Sequence, residues 1–412
     1  MKNELRAYPE PIAIDSLPAI AGGTPTIPRD RRIIFQTPII TDEDVARITD
    51  CLRSLWIGKG PRVDEFEKQF AAYKSAPYAA AVSSCSAGLH LALLALGIGP
   101  GDEVIAPTMT FCSTVHAILH VGATPVLADC HLENYNILPA DIERKLGPRT
   151  KAVIVVHMAG RPCQMDAILD IARAKNLRVI EDCAHAIEAK FKGIPSGLMG
   201  DIGCFSFYPT KNLTTGDGGM VITASRRLFR RVKLLSQNGV VADAWARETG
   251  RIRNRIVAPG YKYNMTDIEA SLGMAQLAAL ESRWVIRQHL CKMYLRLLQH
   301  PAIIQPAQPD PESRHAHHLF AIHLRLESLR ATRDQIAAAM SAENVGTGVH
   351  YVPVHQQPYY KRRFRFSDSQ FPNASILGPR TLSLPLSGDL TDDQIASICT
   401  ALHRILDYFS PR

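Results

Sequence analysis

Between residues 78 and 236 the chain alternates short, nearly unbroken apolar runs with helix-like segments, and this rhythm constrains the fold more than any other feature. "YAAAVSS" precedes "AGLHLALLAL", "DEVIAP" precedes "CSTVHAILHVG", "KAVIVVH" precedes "MDAILDIARAKN", and "GMVIT" precedes "RRLFRRVKLL". "TPVLAD", "RVIED" and "GCFSFY" are further runs of the same kind. A strand with one wet face would alternate apolar and polar side chains. Unbroken runs of roughly four to seven residues instead suit strands covered on both faces, and strand alternating with helix is the pattern of a layered sheet. The expected class is α/β, with a mostly parallel central sheet.

With 412 residues, 46% of them apolar, there is chain enough for one large core and a smaller one. Residues 1–34, rich in proline and small side chains, read as an arm laid over a neighbour. The large domain is expected over 35–285. Thr266 and Glu269 have the spacing of a capping box at the start of a long helical stretch that leads out of it. Residues 286–412 read as a smaller α+β domain, in which "HHLFAIHL", "TRDQIAAAMSAEN", "GTGVHYVPV" and "TDDQIASICTALHRIL" are strand, helix, strand and helix.

Basic residues number 47 against 39 acidic ones, a net charge of +8, but they are scattered and form no long block. No basic array interleaved with aromatics appears, so no nucleic-acid partner is expected, and the mild excess suits an anionic substrate. Nine cysteines without a CxxC pair fit a reducing compartment. The first residues lack the continuous apolar core of a secretory signal, and the most apolar stretch, 78–98, is broken by "SSCS" and His90. A cytoplasmic protein with no membrane partner is expected.

Ligands of an open α/β sheet bind beyond the carboxyl ends of its strands, where four groups of residues collect. "SSCSAG" turns a strand into a helix through small residues, giving free amides and a Ser86 hydroxyl suited to a phosphate, although an ordinary serine cap reads the same way. "VIEDCAH" ends a strand in Glu181 and Asp182, which face opposite sides, so only one can serve a ligand. In "CFSFYPTKN" a strand end is flanked by Ser206 and Lys211; a lysine there must be paired or neutral, and a neutral amine condenses with carbonyls. "PTMTFCST" offers Phe111, either a plate for a flat ring or a core residue. An amine, a carboxylate, a phosphate cradle and an aromatic face together make the set that pyridoxal phosphate needs.

At "SSCSAGLHLALLALGIGPGDEVIAP", "VIEDCAHA", "GDIGCFSFYPTKN", "GDGGMV" and "GYKYNMTDIEASLGMAQL" the chain resembles the sugar aminotransferases of the DegT/DnrJ/EryC1/StrS group, pyridoxal phosphate enzymes of fold type I. The likeness runs from about residue 35 to the carboxyl terminus. "DAWARETG", "APGYKYN" and "GTGVHY" look most like the subgroup that forms UDP-4-amino-4-deoxy-L-arabinose from a UDP-4-keto-pentose. The resemblance implies that Lys211 forms the internal aldimine and moves the proton, and that Asp182 pairs with the pyridine nitrogen. It implies that Phe111 and His185 lie along the ring and that Ser86, Ala87 and Ser206 hold the phosphate. Lys262 and Asn264, where many relatives have asparagine and arginine, would reach into the partner's site across a homodimer with shared active sites. His350 is a candidate for the substrate side.

The function so implied is ping-pong transfer of an amino group from glutamate to a keto sugar, carried on a nucleotide. A cyclitol or another small ketone is an alternative acceptor. Dehydratases of this fold replace the lysine by histidine, and a scaffold relative would have no need of Lys211, Asp182 and both serines. "GIGPG" follows a helix rather than a strand and is no dinucleotide loop. The histidines of "HAHHLF" lack a second ligand cluster, so no metal is expected.

Overall fold

The computed structural model describes residues 17–241 and 255–411. The principal sheet contains β1 Tyr78–Val82, β2 Glu103–Pro107, β3 Thr124–Ala128, β4 Thr150–Val156 and β5 Arg178–Asp182. After the two-residue strands β6 Lys190–Phe191 and β7 Ile194–Pro195, it is completed by β8 Ile202–Ser206 and β9 Gly219–Thr223. The order across it is β1-β9-β8-β5-β4-β2-β3. Every pair from β8 to β3 is parallel, and β9 alone runs against the rest, antiparallel to both β8 and β1. The apolar runs do what their lack of alternation demands: β4, β5, β8 and β9 bury nearly every side chain. The helix Cys85–Leu96 has almost no polar face because it is covered by β8, β9 and the helices Cys112–His120 and Arg226–Ser236.

A second core forms around a three-stranded antiparallel sheet of β10 Ile303–Ile304, β12 Phe320–Leu324 and β13 Thr381–Leu384; the intervening β11, Ser313–Arg314, pairs with β6 instead. The helices Leu280–Leu297, Arg333–Ala342 and Asp392–Phe409 pack on it. The capping box of Thr266 and Glu269 is present, but the long helical stretch breaks at Ala279 into Asp267–Ala278 and Leu280–Leu297. Leu280 belongs to a cluster under the principal sheet and Leu290, Met293 and Tyr294 to the second core, so the passage between cores lies inside the helix that contains position 285. Val354, Tyr360, Phe371 and Leu377 return from the C-terminal third to the principal core.

"GTGVHYVPV" departs from the strand expected of it. Among these residues only Gly348 pairs with a strand, bridging Ser383, and the third strand of the small sheet is the alternating "TLSL" of β13. The segment crosses from one core to the other, where Val354 N–H donates to Thr108 O at the end of β2 (2.8 Å). That crossing places His350 and Tyr351 above the strand ends.

The described part of the N-terminal stretch docks on the second core of its own chain. Ile27 and Ile33 join that core, and the amides of Ala19 and Thr26 donate to Glu343 at 2.8 and 2.7 Å. Glu343 also pairs with the nearly buried Arg404, whose guanidinium reaches Thr24 O at 2.9 Å. Removing the carboxylate takes the counter-charge from a nearly buried cation and the acceptor from two amides, so Glu343→Ala is expected to lower unfolding free energy by about 3 kcal/mol, read from denaturant titration. No described helix is long and apolar enough to cross a membrane. All nine cysteines are free thiols.

Candidate active site

Beyond the carboxyl ends of β1, β2, β5 and β8 the chain encloses a cavity of about 580 Å³. β5 delivers its last two carboxylates to opposite faces. Glu181 points away from the cavity and accepts amides of Gly197, Met199 and Gly200 at 2.7, 2.8 and 2.6 Å, with His157 Nε2 at 2.9 Å. Burial raises its pKa, but His157 and the amides outweigh that and hold it below the ordinary range. Asp182 faces the cavity. Its Oδ2 accepts Thr114 Oγ1 (2.8 Å), its Oδ1 accepts Ala184 N–H (3.1 Å), and the Cys85 thiol lies 3.8 Å from Oδ1. Because Thr114 spends its proton on Asp182, its 2.9 Å contact with Thr110 makes Thr110 the donor in a short hydroxyl chain. Burial raises the pKa of Asp182, while the donors and the Lys211 charge oppose the rise.

Lys211 lies in the loop after β8, with its backbone N–H turned onto Tyr208 O (2.9 Å), and its side chain lines the cavity. Burial brings its pKa down to about 8 against the pull of Asp182. Lys74 is lowered to about 8 by burial as well, so titration alone does not single out the reactive amine. Geometry does. Lys74 Nζ is spent on Ile187 O (2.7 Å) and Ser196 Oγ (3.2 Å), over the ring of Phe205, and does not line the cavity.

On one wall His185 takes Ala159 N–H on Nδ1 (3.3 Å), which leaves Nε2 to donate to Tyr351 Oη (3.1 Å). The rings of His185 and Tyr351 stack, and Phe111, 56% exposed, lies 5.9 Å from Tyr351 across the opening. Burial, with the Lys211 charge behind it, holds His185 neutral. His350 bonds Ser383 through Nδ1 (2.9 Å), stacks on Phe35, and is lowered to about 4 by burial.

At the floor, Ser84 caps the helix Cys85–Leu96 by accepting Ala87 N–H (3.1 Å). The amides of Cys85 and Ser86 in the same turn lack intrahelical acceptors, and the Ser86 hydroxyl is exposed to the cavity, as is Ser206 at the end of β8. The turn can sit so low because β9 begins with Gly219, where a Cβ would lie 2.7 Å from Ser84 C and 2.8 Å from Cys85 N. Gly219→Ala is therefore expected to lift the turn and, if its amides serve as the expected phosphate cradle, to weaken phosphate binding there by about tenfold, measured by titration of the apo-protein.

Of the residues singled out in the sequence, Ser86, Phe111, Asp182, His185, Ser206, Lys211 and His350 line this one cavity. Ala87 is buried just behind it. Lys262 and Asn264 do not line it within one chain: Lys262 bridges Gln237, Asn264 bridges Val82, and Tyr263 O accepts Ser83 N–H (2.8 Å), so the segment extends the sheet beyond β1. "DAWARETG" lies outside the described residues. Sequence reading missed Thr114 and Tyr351. The first carried a signal, four residues after Thr110 at a helix start, whereas Tyr351 is placed by a tertiary crossing.

Comparison with known proteins bears on this arrangement. The model of the DegT/DnrJ/EryC1/StrS aminotransferase family matches residues 38–403. The chain is 42% identical over 382 residues to the spore coat polysaccharide biosynthesis protein SpsC of Bacillus subtilis, covering 92% of this chain and 98% of that protein. Spr1654 from Streptococcus pneumoniae, solved in PMP and PLP forms, superposes in its PMP form with a TM-score of 0.86 at 30% identity, covering 91% of this chain and 99% of that one. DesI, solved in the presence of its TDP-sugar product, superposes with a TM-score of 0.83 at 29% identity over 95% of this chain and 96% of that one. The chain thus belongs to the DegT/DnrJ/EryC1/StrS aminotransferase family, a family of pyridoxal phosphate-dependent sugar aminotransferases, and is a transaminase of fold type I.

Proposed function

We propose that the protein moves an amino group from glutamate to the keto carbon of a sugar carried on a nucleotide, in two half-reactions sharing one cavity. The observation that carries this reading is the meeting, in that cavity, of an amine disfavoured as its cation with a carboxylate oriented by a hydroxyl and an amide. The low turn beneath it, made possible by Gly219, leaves room for a phosphate. These features fit pyridoxal phosphate. When bound, the cofactor supplies an aldehyde that condenses with amines and a ring that accepts the electrons released on deprotonation.

Lys211 Nζ would be the amine that holds that aldehyde, and, freed from it, the base placed to take a proton from the donor and give it back. Asp182 holds the proton of the ring nitrogen. Ser86, Ser206 and the first-turn amides up to Ala87 would hold the phosphate, and Phe111 and His185 would flank the ring. His350 and Tyr351 stand on the substrate side. Lys211 is the only Lys or Arg among the described cavity-lining residues, so those residues offer a phosphate and a dicarboxylate donor no second cation. The exposed Lys262 with Asn264, on the edge beyond β1, supplies a second copy's cavity in a homodimer.

For the acceptor, a second cavity of about 440 Å³ shares Phe111 and Tyr351 with the first and is walled by Val352 and Tyr359, both exposed. Its helix, Pro358–Phe364, ends in Lys361, Arg362 and Arg363. The aromatic wall suits a base, and the basic last turn of the helix that borders it offers cations to a diphosphate extending past the cavity; DesI was solved in the presence of its TDP-sugar product. Incubating the protein with glutamate and then with keto sugars, free or nucleotide-linked, tests the reading by product mass. Amination of a nucleotide-linked sugar is expected. Turnover confined to free ketones or cyclitols, or a visible band that glutamate leaves intact, would overturn it.

A further inference from the structure

Next to Lys211, a buried polar network has no part in the chemistry above. Asn212 Nδ2 donates to both oxygens of Glu188 (3.1 and 2.9 Å) and to Ala316 O (3.1 Å), while Oδ1 faces His318 Nδ1 at 3.0 Å. The amide has one orientation, because turning it over would set its oxygen against a carboxylate and a carbonyl. His318 Nδ1 is then the donor. Glu188 is paired with Arg287, the two being 2% and 3% exposed, and Arg287 Nε donates to His317 O (3.1 Å). His318 O is held in turn by Gln36 Nε2 (3.0 Å), and its ring lies 4.5 Å from that of His185. Two segments thus meet the Asn212 side chain directly, the turn after β5 and the 315–318 stretch before β12, and the helix that joins the two cores braces both through Arg287.

We propose that Asn212, anchored by the Glu188–Arg287 pair, is a positioning residue that fixes where the Lys211 amine stands and, through His318, how His185 lies against the cofactor ring. Desolvating an ion pair this deeply gains little net stability over apolar packing, so stability alone gives weak reason for it. Its geometric consequence is large. Asn212 adjoins Lys211 in sequence, so fixing its side chain at four points fixes the peptide from which the lysine projects. A reacting atom displaced by about 1 Å costs on the order of 100-fold in rate.

The inference rests on the proposed role of Lys211, and the experiment separates the two. Apo-protein is mixed with pyridoxal phosphate. The rate at which borohydride-fixable cofactor appears on the Lys211 peptide, and its pH midpoint, are followed by mass, with total bound cofactor read by absorbance. In Asn212→Ala, and in Glu188→Leu/Arg287→Met, which removes the anchor without stranding a charge, total binding is expected to persist. Fixation on Lys211 should slow by on the order of tenfold to 100-fold, with a displaced midpoint. Glu188→Gln/Arg287→Gln keeps an acceptor for Asn212 and a donor for His317 O, and should stay within about threefold of the wild type. Wild-type rates and midpoints in the first two variants would overturn the inference, as would failure of both to fold, which would leave the network a stability role only. Absence of adduct on Lys211 in the wild-type protein would instead overturn the function proposed above.

Discussion

Lys211→Ala is expected to lose transaminase turnover by at least on the order of 10⁴-fold while still taking up cofactor without a covalent bond. The cradle at Ser86, the carboxylate of Asp182 and the walls at Phe111 and His185 are independent of the lysine, so the cavity persists. What disappears is the group proposed to bind the aldehyde and carry the proton. The fold should not suffer, because burial makes this amine costly to keep charged. Steady-state rates, cofactor content and melting curves check the three parts, and substantial turnover by the variant would contradict the assignment.

The second large effect is expected from Asp182→Asn, a near-isosteric change that leaves Thr114 and the Ala184 amide in place. A neutral amide cannot balance a protonated ring nitrogen, so kcat/KM should fall by about 10²–10³-fold with the protein folded and cofactor bound. A matched drop in kcat places the loss in the reaction rather than in substrate binding. An unchanged rate would remove Asp182 from the mechanism.

The lowered pKa of Lys211 fixes the sign of a pH dependence. Only the unprotonated amine attacks an aldehyde, so covalent capture of pyridoxal phosphate by apo-protein should rise with pH and level off above about 8. An ordinary lysine would place that plateau near 10.4. Between these limits the unfolded chain binds more protons at this position, and at Lys74, than the folded one, so the two groups make apo-protein stability rise with pH there. Capture rates followed by absorbance across this range check the first statement.

How much of this was legible in the sequence depends on the range of the interactions concerned. The strands of the principal sheet were readable because burial on both faces leaves an unbroken apolar run, and strand ends then located Ser86, the Glu181–Asp182 pair, Ser206 and Lys211. The two-residue side-chain period of a strand was enough to tell that Glu181 and Asp182 part company. Which of them faces the cavity was not readable, since that depends on the loop 197–200 folding back under β5. The small sheet was misread at "GTGVHYVPV" because a segment crossing between cores looks locally like a strand, whereas β13 is shown by its partners. The network around Asn212 joins residues 24 to 106 positions apart, and no local pattern announces it.

The central claim is that geometry, not basicity alone, selects one of two buried lysines. Reduction of cofactor-loaded protein with borohydride, followed by proteolysis and peptide mass mapping, tests it most directly. The account predicts the phosphopyridoxyl mass on the peptide containing Lys211 and none on the peptide containing Lys74. A modified Lys74, or an unmodified Lys211 in fully loaded protein, would contradict it.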